Sequence, residues 1–146
     1  MTNHDFIVTT QWSGGRDEVG LAKGDVINES ISIPSSLGGV GEGTNPDEML
    51  VAAASSCYII SLAATLERAH FNDISINQES VGTASLTNGK FKMEQIKHQP
   101  KISVEASQKE ALEKRLDKLL KIADNNCMIS NSIRGNVDIK IEPYIL

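Results

Sequence analysis

A chain of 146 residues fits one domain and is long enough to bury a continuous apolar core. Its hydrophobic fraction of 40% and charged fraction of 23% are those of an ordinary globular protein. A net charge of −5 with scattered lysines and arginines argues against nucleic acid, whose binding needs a basic face to displace phosphate counterions.

The first residues, Met1-Thr2-Asn3-His4-Asp5-Phe6, carry neither a basic stretch nor an apolar stretch of the signal-peptide kind. The longest apolar run, Met49 to Leu66, is alanine-rich and interrupted by Ser55, Ser56, Ser61 and Thr65, which predicts a core helix rather than a membrane span. A cytoplasmic location follows as the expectation. In that compartment a pair of cysteines is more often catalytic, redox-active or metal-binding than a structural staple.

Taken in chain order, Phe6 to Trp12 is β-branched and aromatic and predicts a first strand, followed by a turn at Ser13-Gly14-Gly15-Arg16-Asp17. Asp25 to Ile33 predicts one or two further strands, ended by Pro34. Ser35 to Thr44 is glycine-rich and reads as a loop. Asn45-Pro46-Asp47-Glu48 then marks a helix start: asparagine as N-cap, proline at the first helical position and glutamate three residues after the cap. This helix is expected to run to about Ala69 and, being apolar almost all round, to be covered on most sides.

Ile74 to Leu86 and Lys90 to Val104 read as two strands joined by Asn88-Gly89, the dipeptide of a type I′ hairpin. Ser107 with Glu110 predicts the capped start of a second helix, with Leu112, Leu116, Leu119, Leu120 and Ala123 on one face. Val137, Ile139 and Ile141 alternate with charged residues and predict a half-buried last strand. Strands, helix, hairpin, helix, strand is an α+β order, and with no repeat or linker visible the whole chain, 1–146, is expected to form a single domain.

The only two thiols are Cys57, within the first helix, and Cys127, seventy positions later. Cys57 reads either as a small core hydrophobe or as a nucleophile, and the second reading needs a cation from elsewhere because a helix interior gives little dipole assistance. None of His4, His70 and His98 is placed by sequence as a base, which disfavours a Cys-His hydrolase. For Cys127 the local sequence leaves two readings open. Asn126 caps a short helix through Met128 to Ile133, setting the sulfur at a helix N-terminus that favours thiolate, or the cysteine simply ends a loop. Arg16 reads as a turn residue or as a guanidinium delivered by two flexible glycines. Asp47 is the freer carboxylate, because Glu48 is engaged in the cap. Arg134, just before Gly135-Asn136, reads as a surface residue or a turn-stabilising one. No CxxC or HxxxH pair suggests a metal, and the Gly38 to Thr44 loop lacks the lysine of a phosphate-binding loop.

Three motifs in this order resemble the OsmC/Ohr family, the osmotically inducible protein C and organic hydroperoxide resistance proteins. They are Gly14-Gly15-Arg16-Asp17; Gly43-Thr44-Asn45-Pro46-Asp47-Glu48-Met49-Leu50 leading to Cys57; and Cys127-Met128-Ile129-Ser130-Asn131 with Arg134-Gly135-Asn136-Val137. The resemblance spans roughly Trp12 to Ile141 and implies an OsmC-like fold, with antiparallel sheets around two central helices in an intertwined homodimer. It implies a thiol peroxidase without a cofactor, with Cys57 attacking an organic hydroperoxide, Cys127 resolving the sulfenic acid as a disulfide, and a dithiol, lipoyl-type in one branch, as reductant. Arg16 matches the arginine that stabilises the thiolate, and Asp47 stands where the family usually has the glutamate that orients it. The other difference is Met128, where a proline often follows the second cysteine. A non-enzymatic redox sensor or binding protein on the same fold is the alternative. Asp47 and Cys57, ten residues apart on one helix, are expected either to be brought together by a helix break or to act across a subunit interface, since about 15 Å separates them along a continuous axis at 1.5 Å per residue.

Overall fold

A computed structural model describes residues 2–146. The chain divides into two compact units, one ending at Met49 and the other spanning Leu50–Leu146.

In the first unit, β1 (Thr9–Gln11), β2 (Gly20–Lys23) and β3 (Asn28–Ile31) form a three-stranded antiparallel sheet in the order β1-β2-β3. The first strand is shorter than the β-branched run predicted, and β2 lies where no strand was expected. Its Gly20 runs directly beneath the Trp12 ring, where a Cβ would collide, so its glycine serves packing while lowering the strand signal. The glycine-rich stretch after Pro34 holds a single 3-10 turn, Ser35–Leu37, and then folds back along β3. The Ser32 hydroxyl donates to the Glu42 carbonyl at 2.7 Å and accepts from the Glu42 amide at 2.8 Å, while the Thr44 amide donates to the Ser30 carbonyl at 2.9 Å. Gly43 has φ +71 and a Cβ there would meet the Ser30 carbonyl, which is why this return permits no side chain.

The helix α1 (Pro46–Arg68) begins as predicted. The Asn45 side chain accepts from the Glu48 amide at 2.8 Å, and the Glu48 carboxylate accepts from the Thr44 hydroxyl at 2.6 Å. The helix is unbroken, because alanines fill its interior and the Ser56 hydroxyl donates back to the Ala52 carbonyl at 2.7 Å without disturbing the turn. The helix break proposed from sequence is therefore absent. Residue His70, with φ 68, closes the helix in place of glycine, and the Phe71 amide reaches back to the Leu66 carbonyl at 3.1 Å. By length and composition alone α1 is apolar enough to cross a membrane despite its alanine content. Packing marks it as a core helix: Ala54, Tyr58, Ser61, Leu62, Thr65 and Leu66 are buried. Coverage on most sides does not follow within the chain, since Ile60 is 68% exposed.

In the second unit, β4 (Ser75–Thr87) and β5 (Lys90–Ser103) pair antiparallel through a hairpin in which Asn88 (φ 54) and Gly89 (φ 76) both take positive φ, as a type I′ turn requires. The helix α2 (Lys109–Asn125) follows a 3-10 turn, and then come α3 (Met128–Ile133), β6 (Asp138–Ile141) and β7 (Tyr144–Ile145). Because helices carry the chain back across the unit, β6 returns parallel to β5, and β7 joins β5 in the same sense. The sheet is thus mixed. β6 pairs with residues 95–98 of β5 and β7 with residues 101–102, and the gap between them falls at Pro100, which has no N–H.

The Ser107–Glu110 capping box does not form. Gln108 holds the N-cap position without a side-chain cap, because its amide group instead accepts from the Asn72 amide at 2.7 Å and donates to the His70 carbonyl at 2.9 Å. This ties the start of α2 to the end of α1. Between them lies a core of Tyr58, Leu62, Leu66, Phe71, Ile102, Leu112, Leu119, Leu120, Ala123 and Cys127. Burying each large aliphatic residue contributes about 1.5–3 kcal/mol. The alternation of β5 places Ile96, His98, Pro100 and Ile102 on its core face. His98 is wholly buried, stacks on Tyr58 with centroids 5.1 Å apart, and meets the Ser80 hydroxyl through Nδ1 at 2.6 Å.

Two outcomes follow. A Cβ at Gly82 would strike the Val51 side chain and lie 3.0 Å from the Met93 sulfur. Gly82→Ala should therefore cost about 1–3 kcal/mol by overpacking, read as a lower denaturant midpoint. Burial pushes the His98 pKa below its usual value, with Asp124 acting weakly the other way. The unfolded chain then binds the extra proton, so stability is full above about pH 6.5 and falls as pH drops below it. In His98→Gln the urea midpoint should change less between about pH 7.5 and about pH 5.5 than in the parent chain.

Candidate active site

Cys57 occupies the middle of α1, half-buried, and Cys127 lies in the turn between α2 and α3, fully buried. Both are free thiols. The fold brings them together, since Cys57 packs against the core cluster that contains Cys127 and is among the groups that raise the Cys127 pKa.

Local bonding explains how Cys127 is held. It is itself the N-cap of α3, its sulfur accepting from the Ser130 amide at 3.5 Å, whereas Asn126 closes α2. Of the two readings the sequence leaves open, the helix N-terminus is the one observed, with the cap formed by Cys127 and not by Asn126. Burial nevertheless dominates and raises the Cys127 pKa. The Ser130 amide and hydroxyl oppose that rise, and the neighbouring Cys57 thiol adds to it. The helix N-terminus therefore does not give Cys127 a lowered pKa.

A polar group of the second unit lies close by. The Tyr58 hydroxyl is buried, and desolvation, with Asp124 and Cys127 near it, pushes its pKa above the ordinary range. From His98, the Ser80 hydroxyl continues to the Ser55 hydroxyl at 2.8 Å, and Gln78 Nε2 donates to the same Ser55 oxygen at 3.0 Å. None of Tyr58, Ser80, Ser55 and Gln78 was singled out in the sequence. A hydroxyl in an alanine-rich helix or a polar strand carries no signal of its contacts.

In the first unit the Arg16 guanidinium binds Asp17 at 2.7 Å and donates to the carbonyls of Leu37 at 3.1 Å and Gly38 at 3.3 Å. Its carboxylate partner is thus the adjacent Asp17. Asp47 is exposed and forms no ion pair among the described residues, so the Arg16–Asp47 pairing is not made here. The reason is reach: Asp17 shares the turn of Arg16, and the 3-10 turn offers free carbonyl ends that attract a cation. With α1 continuous, Asp47 and Cys57 stand about 15 Å apart along its axis. Arg134 is more than a surface residue, since it donates to Asp124 Oδ2 at 3.0 Å and to Asn131 Oδ1 at 3.0 Å, bridging α2 and α3 around Cys127.

This geometry has relatives. Residues 39–142 match the family of OsmC-like proteins. An uncharacterized protein of Bacillus subtilis (strain 168), YmaD, is 41% identical over 147 aligned residues, covering 99% of this chain and 97% of its own. An organic hydroperoxide resistance protein of Xanthomonas axonopodis pv. citri (strain 306) is 28% identical, over 88% of this chain and 87% of its own. Among solved structures, an OsmC-like protein of unknown function from Vibrio cholerae O1 biovar eltor str. N16961 superposes with a TM-score of 0.80 at 18% identity, over 97% of this chain and 99% of that one. The fold is shared even where little sequence is, and the stretch matched by the family holds both cysteines: the chain belongs to the OsmC-like family.

Proposed function

We propose that the protein is a cysteine-based peroxidase that reduces organic hydroperoxides at the expense of a dithiol. The observation that carries this reading is the meeting of Cys57 and Cys127, seventy residues apart in sequence, as free thiols with unequal access to solvent. The name of the Xanthomonas relative supports the substrate class. In the proposed cycle the Cys57 thiolate attacks the outer oxygen of the peroxide. The O–O bond breaks, the alcohol leaves with a proton, and Cys57 becomes a sulfenic acid. Cys127 then attacks the sulfenic sulfur, the S–O bond breaks, and the hydroxide leaves as water with the Cys127 proton. A dithiol, of lipoyl type on the family resemblance, reduces the disulfide and is itself oxidised to a cyclic disulfide.

Arg16 is the proposed source of positive charge for thiolate and peroxide, and Asp47 the proposed second carboxylate. The continuous α1 favours the version in which Asp47 serves a thiol of a second subunit. A homodimer is proposed on the same resemblance. The peroxide and the dithiol are cytoplasmic reactants on this reading.

The test is consumption of tert-butyl hydroperoxide with dihydrolipoamide, against thioredoxin and glutathione as reductants and hydrogen peroxide as substrate. Cys57→Ser should lose turnover by at least about 100-fold, and Cys127→Ser should stop after one equivalent with Cys57 as sulfenic acid. Arg16→Ala should lower kcat/KM by about 10- to 100-fold. Full turnover in Cys57→Ser would end the peroxidase reading. Formation of the disulfide without sustained peroxide consumption would favour a redox sensor.

A further inference from the structure

Apolar packing alone does not fix how two helices slide past one another, yet a disulfide forms only when its sulfur atoms approach within a narrow range. The two thiol-bearing segments here are joined by directional bonds that the reaction as described does not use. Ser61 stands one helical turn after Cys57 on α1, and its hydroxyl donates to the Ala123 carbonyl at 2.6 Å in a buried setting. Ala123 precedes Cys127 by one turn at the end of α2, and the Cys127 amide donates to the Asp124 carbonyl at 3.1 Å. On the other side of the turn, Arg134 spans Asp124 Oδ2 and Asn131 Oδ1, and Asn131 Nδ2 donates to the Asn125 carbonyl at 2.9 Å. The Asn131 amide closes onto the Cys127 carbonyl at 3.0 Å. Cys127 is thus bracketed: Ser61 sets α2 against the helix of Cys57, and Arg134 with Asn131 fixes the turn that carries the sulfur.

We infer that Ser61 and Arg134 are positioning residues for the resolution step, holding Cys127 where it can attack a sulfenic acid on Cys57. Neither touches the reacting atoms. The inference rests on the proposed peroxidase cycle for its reaction, but the positioning itself is a property of the thiol pair and is measurable without peroxide. The ion pair of Arg134 with Asp124 is half-exposed on the arginine side, so its value for overall stability is small, and the geometry it imposes on the turn is the larger effect.

The experiment compares the parent chain with Ser61→Ala and Arg134→Gln in two arms. In the first, the reduced protein is equilibrated with oxidised dithiothreitol, and the effective concentration of the Cys57–Cys127 pair is read from the disulfide fraction. Each variant is expected to lower it by about tenfold, the scale of one lost orienting hydrogen bond. In the second, quenched-flow mass spectrometry follows tert-butyl hydroperoxide oxidation. The rate of Cys57 oxidation should stay within about twofold, disulfide closure should slow by about tenfold, and sulfinic acid at Cys57 should rise in proportion. Ser61→Thr, which keeps the hydroxyl, should restore closure. A fall in melting temperature with unchanged closure and unchanged effective concentration would overturn the inference and leave both residues as stabilising only. Loss of the peroxide arm in the parent chain, with the dithiothreitol effect intact, would sink the peroxidase reading while upholding the positioning.

Discussion

The contact on which the rest depends is the buried one between α1 and the end of α2. Leu62 and Leu66 meet Leu112, Leu119 and Leu120 there, and that apolar area supplies most of the stabilisation without specifying a register. Register comes from two polar ties. Gln108 grips the chain where α1 ends, and the Ser61 hydroxyl grips the carbonyl of Ala123. A polar group in such a core is costly unless satisfied, so the buried Ser61 bond admits few alternative arrangements of the helix pair. The same register that buries the leucines sets Cys57 against Cys127.

That placement makes the two sulfurs chemically unequal. Cys57 is partly open to solvent, whereas Cys127 is fully enclosed and its pKa is raised by burial and by the Cys57 thiol beside it. An external oxidant or reductant therefore meets Cys57 first. In the proposed cycle the reductant would attack the Cys57 sulfur and expel Cys127 as thiolate. A thiol of high pKa is a poor leaving group, so reduction by a monothiol would stall at a mixed disulfide or reverse. A dithiol closes its own ring and draws the exchange forward. The proposed preference for a dithiol is thus connected to the burial of Cys127 and not only to the family resemblance.

Much of this architecture was legible in the sequence because it rests on local signals. Asn45 through Glu48 announce α1, Asn88-Gly89 the hairpin, and the spacing of Leu112, Leu119, Leu120 and Ala123 the buried face of α2. What escaped depends on partners distant in sequence. The strand Gly20–Lys23 is too short and too mixed to announce itself, and it exists because it pairs on both sides. Gln108 displaced the predicted capping box because its side chain is engaged by Asn72 and His70, some thirty-six and thirty-eight positions earlier. At the site, the cysteines could be picked out by type, but their separation, the cap formed by the sulfur itself, and the choice of Asp17 for Arg16 are facts of three-dimensional placement. Ser61 was noted only as an interruption of an apolar run.

Ser61 carries a physical lesson about α1. A helix long and apolar enough to cross a bilayer serves here as a core helix, and its buried hydroxyls help to seat it. In α1 Ser61 and Thr65 are on the buried face, with Thr65 donating back to the Ser61 carbonyl at 2.7 Å and Ser61 donating outward to α2. Hydroxyls so placed let an alanine-rich helix approach its neighbours closely while satisfying a carbonyl beyond itself. Small residues bring the backbones near, and the hydroxyl turns nearness into a defined register. On the proposed cycle the thiol pair opens and closes repeatedly and needs such a register, since each reduction would free the sulfurs and leave the surrounding bonds to keep Cys127 facing Cys57.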